Sequence, residues 1–200
     1  MDSTVLLYKL LDRGDEVSCI SFHYGQRHSK ELQCAAAICK GLGIDHEILT
    51  LPTMRGSALV GEGEIPHGHY AEESMKQTVV PNRNMIFIAH AVSAAIADGC
   101  GAVAYGCHAG DHAIYPDCRP DFVEAMSQAI MYCDWSGVVL LTPFLHIDKT
   151  EIAREGRRLM VPFEKTWTCY EGKAEPCGKC GSCVERNEAI TNSNDENDSI

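Results

Sequence analysis

The sequence feature that most restricts the fold is a group of four cysteines near the end of the chain, spaced C-x7-C-x2-C-x2-C. Two residues between neighbouring cysteines let a short turn direct both sulfurs at one point, about 2.3 Å from each, as a tetrahedral thiolate site requires. Gly178 and Gly181 follow two of these cysteines, where such a turn needs a positive φ or an approach too close for a Cβ. We therefore predict one structural zinc ion, held by Cys169, Cys177, Cys180 and Cys183. An iron–sulfur cluster is the alternative, because C-x2-C-x2-C also occurs in ferredoxin-type sequences.

Charge and hydropathy exclude several classes of protein. The chain has 200 residues, with 17 basic and 28 acidic side chains and a net charge of −11. Such a chain does not present a polyanion-binding surface over its whole area, so we predict no direct contact with nucleic acid. No apolar run approaches the ~20 residues of a membrane span, and the sequence shows no secretory signal. We predict a cytoplasmic protein without membrane contact, and the sequence leaves a homodimer open.

Strand-like and helix-like segments alternate along the chain. This alternation predicts parallel strands joined by helical crossovers, and hence an α/β fold with helices on both faces of a Rossmann-like parallel sheet. The predicted strands are 16–22, 46–51, 102–106 and 138–144, and the predicted helices are 1–11, 29–42, 82–98, 121–132 and 148–159. We predict a nucleotide-binding domain over 1–165, a zinc-binding C-terminal arm over 166–190 and a disordered acidic tail over 191–200.

The loops after the predicted strands are the expected place for ligands, because ligands of parallel α/β sheets gather beyond the carboxyl ends of the strands. Arg83 and Asn84 begin a predicted helix, where they either bind a ligand or only cap the helix. Lys149 stands beside another helix start and is either a phosphate ligand or a solvated lysine. The segment 52–80 has little periodicity, which is typical of a functional loop or a lid.

A second group of candidate residues lies within the nine positions 111–119. Asp111 and Asp117 supply hydrogen-bond acceptors, Tyr115 a stacking surface and Arg119 a bidentate donor. Together they suit a heterocycle that carries a carboxylate. The alternative is that Asp117 and Arg119 form only a surface ion pair, worth under ~1 kcal/mol.

Several of these stretches converge on one family. M-D-S-T at the start of the chain resembles the end of the S-G-G-x-D-S loop of the PP-loop ATP pyrophosphatases, whose fold is that of the adenine nucleotide alpha hydrolases. With H-Y-G-Q-R-H-S-K-E-L (23–32), V-P-N-R-N-M-I-F (80–87), Y-P-D-C-R (115–119) and the four cysteines, the chain resembles the 7-cyano-7-deazaguanine synthases of queuosine biosynthesis. The resemblance extends from Met1 to about Ile190.

The resemblance implies an ATP-dependent ligase that forms carbon–nitrogen bonds. Its substrates would be 7-carboxy-7-deazaguanine, ATP with Mg²⁺, and ammonia. The acid would be adenylated, ammonia would displace AMP to give an amide, and a second activation would dehydrate the amide to the nitrile. Such chemistry depends on positioning and charge stabilisation more than on a general base.

Residue by residue, the resemblance places Met1, Asp2, Ser3 and Thr4 in the nucleotide loop, with Arg83 and Asn84 beside nucleotide and substrate. Catalysis is expected to involve four residues: Asp2, Ser3, Arg83 and Lys149. The deazapurine pocket is expected to consist of Asp111, Tyr115, Asp117 and Arg119, and the four cysteines are expected to hold the zinc.

The chain departs from the family pattern at its first residue. The family's loop follows a buried strand and Ser-Gly-Gly, so we expect Met1 to match the methionine of S-G-G-M-D-S. Without the strand and glycines, we expect weak ATP binding and impaired folding. Three alternatives stay open: a PP-loop tRNA sulfurtransferase with an iron–sulfur cluster, a zinc-knuckle binding module without turnover, and a truncated inactive homologue.

Overall fold

The computed structural model describes residues 1–194 of the chain. Within these residues there are six α-helices and four β-strands. The helices are α1 (Asp2–Asp12), α2 (Lys30–Leu42), α3 (Arg83–Ala97), α4 (Pro120–Met131), α5 (Lys149–Arg158) and α6 (Gly181–Asn192). The strands are β1 (Cys19–His23), β2 (His46–Thr50), β3 (Ala102–Ala104) and β4 (Val139–Leu141). None of the helices in 1–194 has both the length and the apolar character needed to span a membrane.

The chain divides into two compact units. The first comprises Met1–Pro81 together with the segment that begins at Lys149, and the second is Asn82–Asp148. This division does not follow the boundary expected near residue 165. The predicted extents of the nucleotide-binding domain and of the C-terminal arm stay predictions.

In the first unit, β1 and β2 form a parallel pair, with Cys19 opposite His46 and His23 opposite Thr50. The connecting helix α2 packs against both strands. Its Ile38 and Cys39 form a core cluster with Leu7 of α1, because apolar residues recur on one face of each helix.

Helices α1, α5 and α6 form the second part of the first unit. Helix α5 packs against both α1 and α6. Met1, Ala153 and Ala189 make a small buried cluster, with Phe163 and Ile190 packed against it. The small side chains of the two alanines let the helix backbones approach closely, so residues at the start of α1, α5 and α6 are held at fixed distances.

In the second unit, β3 and β4 form another parallel pair, in the register Ala102 opposite Val139. Helix α3 packs on β3 and helix α4 packs on β4. The core of this unit consists of apolar residues from α3, from α4 and from the position just before β4: Ile88, Val92, Ala95, Met126, Ile130 and Val138.

The predicted α/β class with parallel strands is confirmed, and the strands form two pairs, one in each unit. The last strand ends at Leu141 instead of residue 144, because a turn with Pro143 at its second position follows and bonds Leu145 N–H to Thr142 O at 3.1 Å. Helix α6 was not predicted. It runs through Asn192, two residues into the predicted tail, and the tail residues 195–200 lie outside the described part of the chain.

Candidate functional site

The four cysteines come together in the first unit. Their Sγ atoms all lie within 4.8 Å of one another, and three of the four residues are buried, with Cys177 partly exposed. Thiolates about 2.3 Å from one ion in a tetrahedron are ~3.8 Å apart, so a small inward movement of the sulfurs completes such a site. The four sulfurs therefore fit a closed coordination site for a single metal ion.

Backbone N–H groups support the thiolates. The N–H of Cys177 donates to Cys169 Sγ and the N–H of Cys180 donates to Cys177 Sγ, both at 3.3 Å. Burial raises the pKa of Cys177, but backbone N–H donation from Lys179 and Cys180, together with hydrogen bonds from the Cys169 and Cys180 side chains, outweighs burial and the pKa is lowered. Metal-binding thiols must lose their protons, and these donors favour the deprotonated form.

Gly178 and Gly181 of the cysteine segment, residues 169–183, have the roles expected from the sequence. Gly178 has φ +71°, which L side chains rarely adopt. A Cβ on Gly181 would lie 2.8 Å from Met75 Sδ and 3.3 Å from Tyr70 Cα, so a larger residue there would require the 52–80 segment to shift.

The 52–80 segment is anchored to the cysteine segment by its backbone. His67 forms an isolated antiparallel bridge with Cys180, and Gly68 N–H donates to Lys179 O at 3.1 Å. Within 52–80, Leu59, Met75 and Thr78 are almost completely buried. The segment expected to be a loop or lid therefore packs as part of the first unit and includes a short 3-10 helix, Glu73–Thr78.

A cluster of charges surrounds Lys149 in the same unit. Lys149 is the first residue of α5, and its Nζ lies 3.4 Å from Asp2 Oδ2 and donates a hydrogen bond to Glu185 Oε2. The side chains of Lys149 and Glu185 are 8% and 9% exposed. Lys149 is thus a buried, paired lysine and not a solvated one.

The predicted nucleotide-loop residues form the start of α1. Asp2, Ser3 and Thr4 occupy its first turn, at the end of the helix whose N–H groups and dipole suit a phosphate. The side chain of Met1 packs in the apolar cluster of α5 and α6, and Met1 O accepts from Thr4 and Val5 N–H at 3.0 Å. The structure thus brings Asp2 together with Lys149, whereas Met1 serves the core.

Two functional candidates near this cluster were missed in the sequence: Glu185 and Arg186. Arg186 donates to Phe163 O at 2.6 Å and to Thr166 Oγ1 at 2.5 Å. Burial lowers its pKa, while the negative charges of Cys183 and Asp2 oppose that effect. The only sequence signal was their position just after Cys183, because their partners lie far away along the chain.

The second unit carries the predicted deazapurine-pocket residues on two short 3-10 helices, Ala109–Ala113 and Pro116–Cys118, and at Arg119. Asp111 Oδ2 lies 3.5 Å from the Nε2 of the buried His108. Tyr115 N–H donates to Asp111 O at 2.9 Å, and Arg119 Nε donates to His112 O at 2.7 Å. These bonds fix the two turns relative to each other and bring the four predicted residues into one local assembly.

Asn84 ties the start of α3 to this assembly. Its backbone N–H donates to Asp117 Oδ2 at 3.2 Å, and its side-chain Nδ2 donates to Asp117 O at 3.4 Å. Tyr105 donates its hydroxyl to the same carbonyl at 3.1 Å, and burial raises the pKa of Tyr105 so that the proton is retained. Asn84 is buried, and Arg83 Nε lies 3.3 Å from its Oδ1. The amide of Asn84 therefore orients Asp117.

Comparison with known proteins decides the family. Residues 1–194 match the family model described as "Queuosine biosynthesis protein QueC". The chain belongs to the QueC family. The chain is 54% identical over 194 residues to the 7-cyano-7-deazaguanine synthase of Methanoregula boonei, a match that covers 95% of this chain and 89% of that protein. The synthase of Hahella chejuensis is 50% identical over 99% of this chain and 86% of its own length.

Membership of the QueC family confirms the family predicted from the sequence and its place in queuosine biosynthesis. Among solved structures, the chain is similar to the U34-tRNA thiolase NcsA of Methanococcus maripaludis, which is described with its [4Fe-4S] cluster. The TM-score is 0.50 at 15% identity, and the match covers 95% of this chain and 60% of that one. At this identity the likeness supports the fold alone.

Proposed function

We propose that this QueC family member catalyses the ATP-dependent conversion of 7-carboxy-7-deazaguanine and ammonia to 7-cyano-7-deazaguanine. The observation that carries the proposal is the match of the whole described chain to the QueC family. A 7-cyano-7-deazaguanine synthase is 54% identical to it over 95% of this chain. The arrangement of the candidate residues agrees with this chemistry.

The reaction needs two activations, because neither a carboxylate nor an amide oxygen is a leaving group. A carboxylate oxygen attacks the α-phosphorus of ATP and pyrophosphate leaves. Ammonia then attacks the acyl carbon, AMP leaves with that oxygen, and loss of a proton gives the amide. The amide oxygen attacks the α-phosphorus of a second ATP, pyrophosphate leaves, and loss of one proton from nitrogen gives an adenylated imidate. Loss of AMP and of the second proton from nitrogen then gives the nitrile.

Residues of the first unit would serve the nucleotide. Lys149 supplies a positive charge for the phosphates, and the first-turn N–H group of Ser3 adds a donor. Asp2 is a carboxylate suited to Mg²⁺, which usually binds one or two carboxylates together with substrate phosphates. The 3.4 Å contact between Asp2 Oδ2 and Lys149 Nζ keeps an acceptor and a cation side by side for this purpose.

Residues of the second unit would serve the acid. Arg119 suits the substrate carboxylate, the carboxylates of Asp111 and Asp117 suit the N–H groups of a deazaguanine, and Tyr115 suits its ring face. Arg83 would stabilise negative charge that develops during transfer. Asn84 would act through Asp117, whose backbone and side chain it holds.

The proposed metal is one structural Zn²⁺ on Cys169, Cys177, Cys180 and Cys183. Support comes from the 4.8 Å limit on the Sγ separations and from an all-sulfur ligand set without a position for water. An iron–sulfur cluster stands between its cysteines and so separates their sulfurs more widely than a single ion does. Bound zinc would supply structural cross-linking only.

Two further expectations accompany this function. The partners would be small molecules, and the net charge of −11 favours action without direct contact to nucleic acid. A cytoplasmic location and a homodimer stay predictions from the sequence.

The direct test is incubation of the zinc-loaded chain with ATP, Mg²⁺, ammonium and 7-carboxy-7-deazaguanine, followed by mass detection of products. We expect the amide and then the nitrile, with AMP and pyrophosphate, and none of them when ATP or the acid is omitted. Release of neither AMP nor any nitrogen-bearing product would overturn the proposal.

A further inference from the structure

Lys149 is held between carboxylates from two other helices. Asp2 belongs to the first turn of α1, and Glu185 belongs to α6. The Lys149 ammonium donates to Glu185 and lies 3.4 Å from Asp2, with 8% of the lysine side chain exposed. A charge this deeply buried is retained when it is paired, and removal of Glu185 takes away the carboxylate that accepts its hydrogen bond, while Asp2 lies 3.4 Å away. Its position therefore depends on Glu185.

Glu185 lies on the helix that begins at the metal site. Cys180 is the N-cap of α6 and Cys183 is its third residue. Glu185 follows Cys183 by two positions, which on a helix of 3.6 residues per turn is a rotation of about 200°. The first turns of α6 thus direct Cys183 towards the other cysteines and Glu185 towards α5.

The face of α6 that carries Glu185 is also the face that packs on the start of α5. Ala189, one turn after Glu185, contacts the apolar cluster of Met1 and Ala153. Met1 precedes Asp2 and Ala153 lies one turn after Lys149 on α5. Movement of the first turn of α6 would therefore move Glu185 relative to both Lys149 and Asp2.

We propose that Glu185 is a positioning residue that holds the Lys149 ammonium beside Asp2, and that metal on the four cysteines keeps Glu185 in place. The metal site then controls the lysine that receives the phosphates of a nucleoside triphosphate. The phosphate role of Lys149 rests on the function proposed above, whereas the link from the metal to Lys149 rests on the contacts alone.

The first experiment measures the position of Lys149 without any turnover. The full chain, with metal and after chelation under reducing conditions, is treated with an amine-reactive acylating reagent, and labelling at each lysine is followed by peptide mass spectrometry. We expect Lys149 labelling to rise roughly tenfold in Glu185→Gln and after chelation, since a charge-assisted hydrogen bond is lost. Lys9, which pairs with Glu155 on the same unit, is the internal reference.

The matched control is Glu188→Gln, a change on the same helix. Glu188 is 47% exposed and its Oε2 lies 4.0 Å from His69 Nε2. We expect this variant to label Lys149 at the wild-type rate. Equal Lys149 labelling in wild type with and without metal would overturn the proposal. A rise in Lys9 labelling by the same factor as Lys149 labelling would also overturn it, because it would indicate general unfolding. If Glu185→Gln does not fold, the wild-type comparison with and without metal decides.

The second experiment measures binding of a non-hydrolysable ATP analogue at equilibrium, together with metal content. We expect Glu185→Gln to bind the analogue about tenfold more weakly while it keeps the metal content of wild type. Glu185→Asp, which keeps the carboxylate, should bind more tightly than Glu185→Gln. Unchanged binding in a metal-loaded Glu185→Gln protein would contradict the link to the nucleotide. Failure of wild type to form nitrile would count against the proposed function and not against the labelling result.

Discussion

Asn84 shows how one buried side chain prepares a binding surface. Its amide donates to Asp117 O at 3.4 Å and to Cys118 Sγ at 3.5 Å, so the start of α3 fixes the turn that carries Asp117. The sequence suggested a nucleotide contact or a helix cap for Asn84. Neither reading foresaw this link, because the two segments are 33 residues apart and meet only after the unit has folded.

Asn84→Ala is expected to lower the free energy of unfolding by about 1–2 kcal/mol, since it leaves buried groups of the Asp117 turn with fewer donors. It should also raise the KM for the acid more than the KM for ATP. Urea unfolding and steady-state kinetics test both effects. The neighbouring Met85, which is 46% exposed, gives the control Met85→Ala, expected within ~0.5 kcal/mol of wild type. Equal effects of the two changes would contradict this account of Asn84.

The metal ligands and Lys149 illustrate what a sequence does and does not reveal at this scale. The cysteines were predictable because three of them lie within seven residues, so local turns bring their sulfurs together. The pairing of Lys149 with Glu185 was not predictable, because the two residues are 36 positions apart and their contact depends on how α5 packs on α6.

At the scale of helices, α5 is joined to α1 by an ion-pair network at Glu155. Arg158 Nε donates to Glu155 Oε2 at 2.9 Å and Lys9 Nζ to Oε1 at 2.7 Å, and these bonds lower the pKa of Glu155 to about 2. A carboxylate with a lowered pKa contributes stability that is present above its ordinary pKa of 4.5 and is lost as the pH falls towards 2.

We therefore expect Glu155→Gln to be less stable than wild type at pH 7, and the difference to shrink as the pH falls from 4.5 to about 2. The loss should be on the order of 1 kcal/mol, because Arg158 is 55% exposed and solvent screens the pair. Thermal unfolding at several pH values measures it. The change Glu124→Gln, at an exposed position of α4, should show no such trend, and a constant difference for Glu155→Gln across this range would refute the assignment.

Gly156 on α5 offers a test of helix packing. A Cβ there would lie 2.5 Å from Phe163 Cζ and 2.9 Å from Val5 Cγ2. Gly156→Ala should cost about 1–3 kcal/mol by overpacking. Gly41 of α2 has open space around it, so Gly41→Ala should instead stabilise by up to ~1 kcal/mol. Denaturant unfolding of both variants measures the contrast, and a stabilising Gly156→Ala would show that α1 and α5 are not this close.

The helices were easier to predict than the strands and the C-terminal helix. Helix α2 was expected at 29–42 and lies at Lys30–Leu42, because its apolar positions have helical spacing and a glycine follows. The first strand begins at Cys19, three residues later than expected, since pairing with β2 sets its start. Helix α6 is not evident from the sequence because its buried residues, Gly181, Cys183, Glu185 and Ala189, do not form an apolar stripe along one face.

At the scale of the whole molecule, the sequence identified the class of fold and the family, but not the division of the chain. The parallel α/β class follows from the order of strands and helices, which is a property of the sequence itself. The division at Pro81 and Lys149 depends on long-range contacts, above all the packing of α5 with α1 and α6, that no local pattern encodes.

The central claim, that ATP activates the acid twice on the way to a nitrile, is tested most directly by following oxygen. The chain is incubated with ATP, ammonium and 7-carboxy-7-deazaguanine whose two carboxylate oxygens are ¹⁸O. Each activation transfers one of these oxygens to phosphorus, so mass spectrometry should find two singly labelled AMP molecules per nitrile. Nitrile formed with unlabelled AMP, or no nitrile and no AMP at all, would contradict the claim.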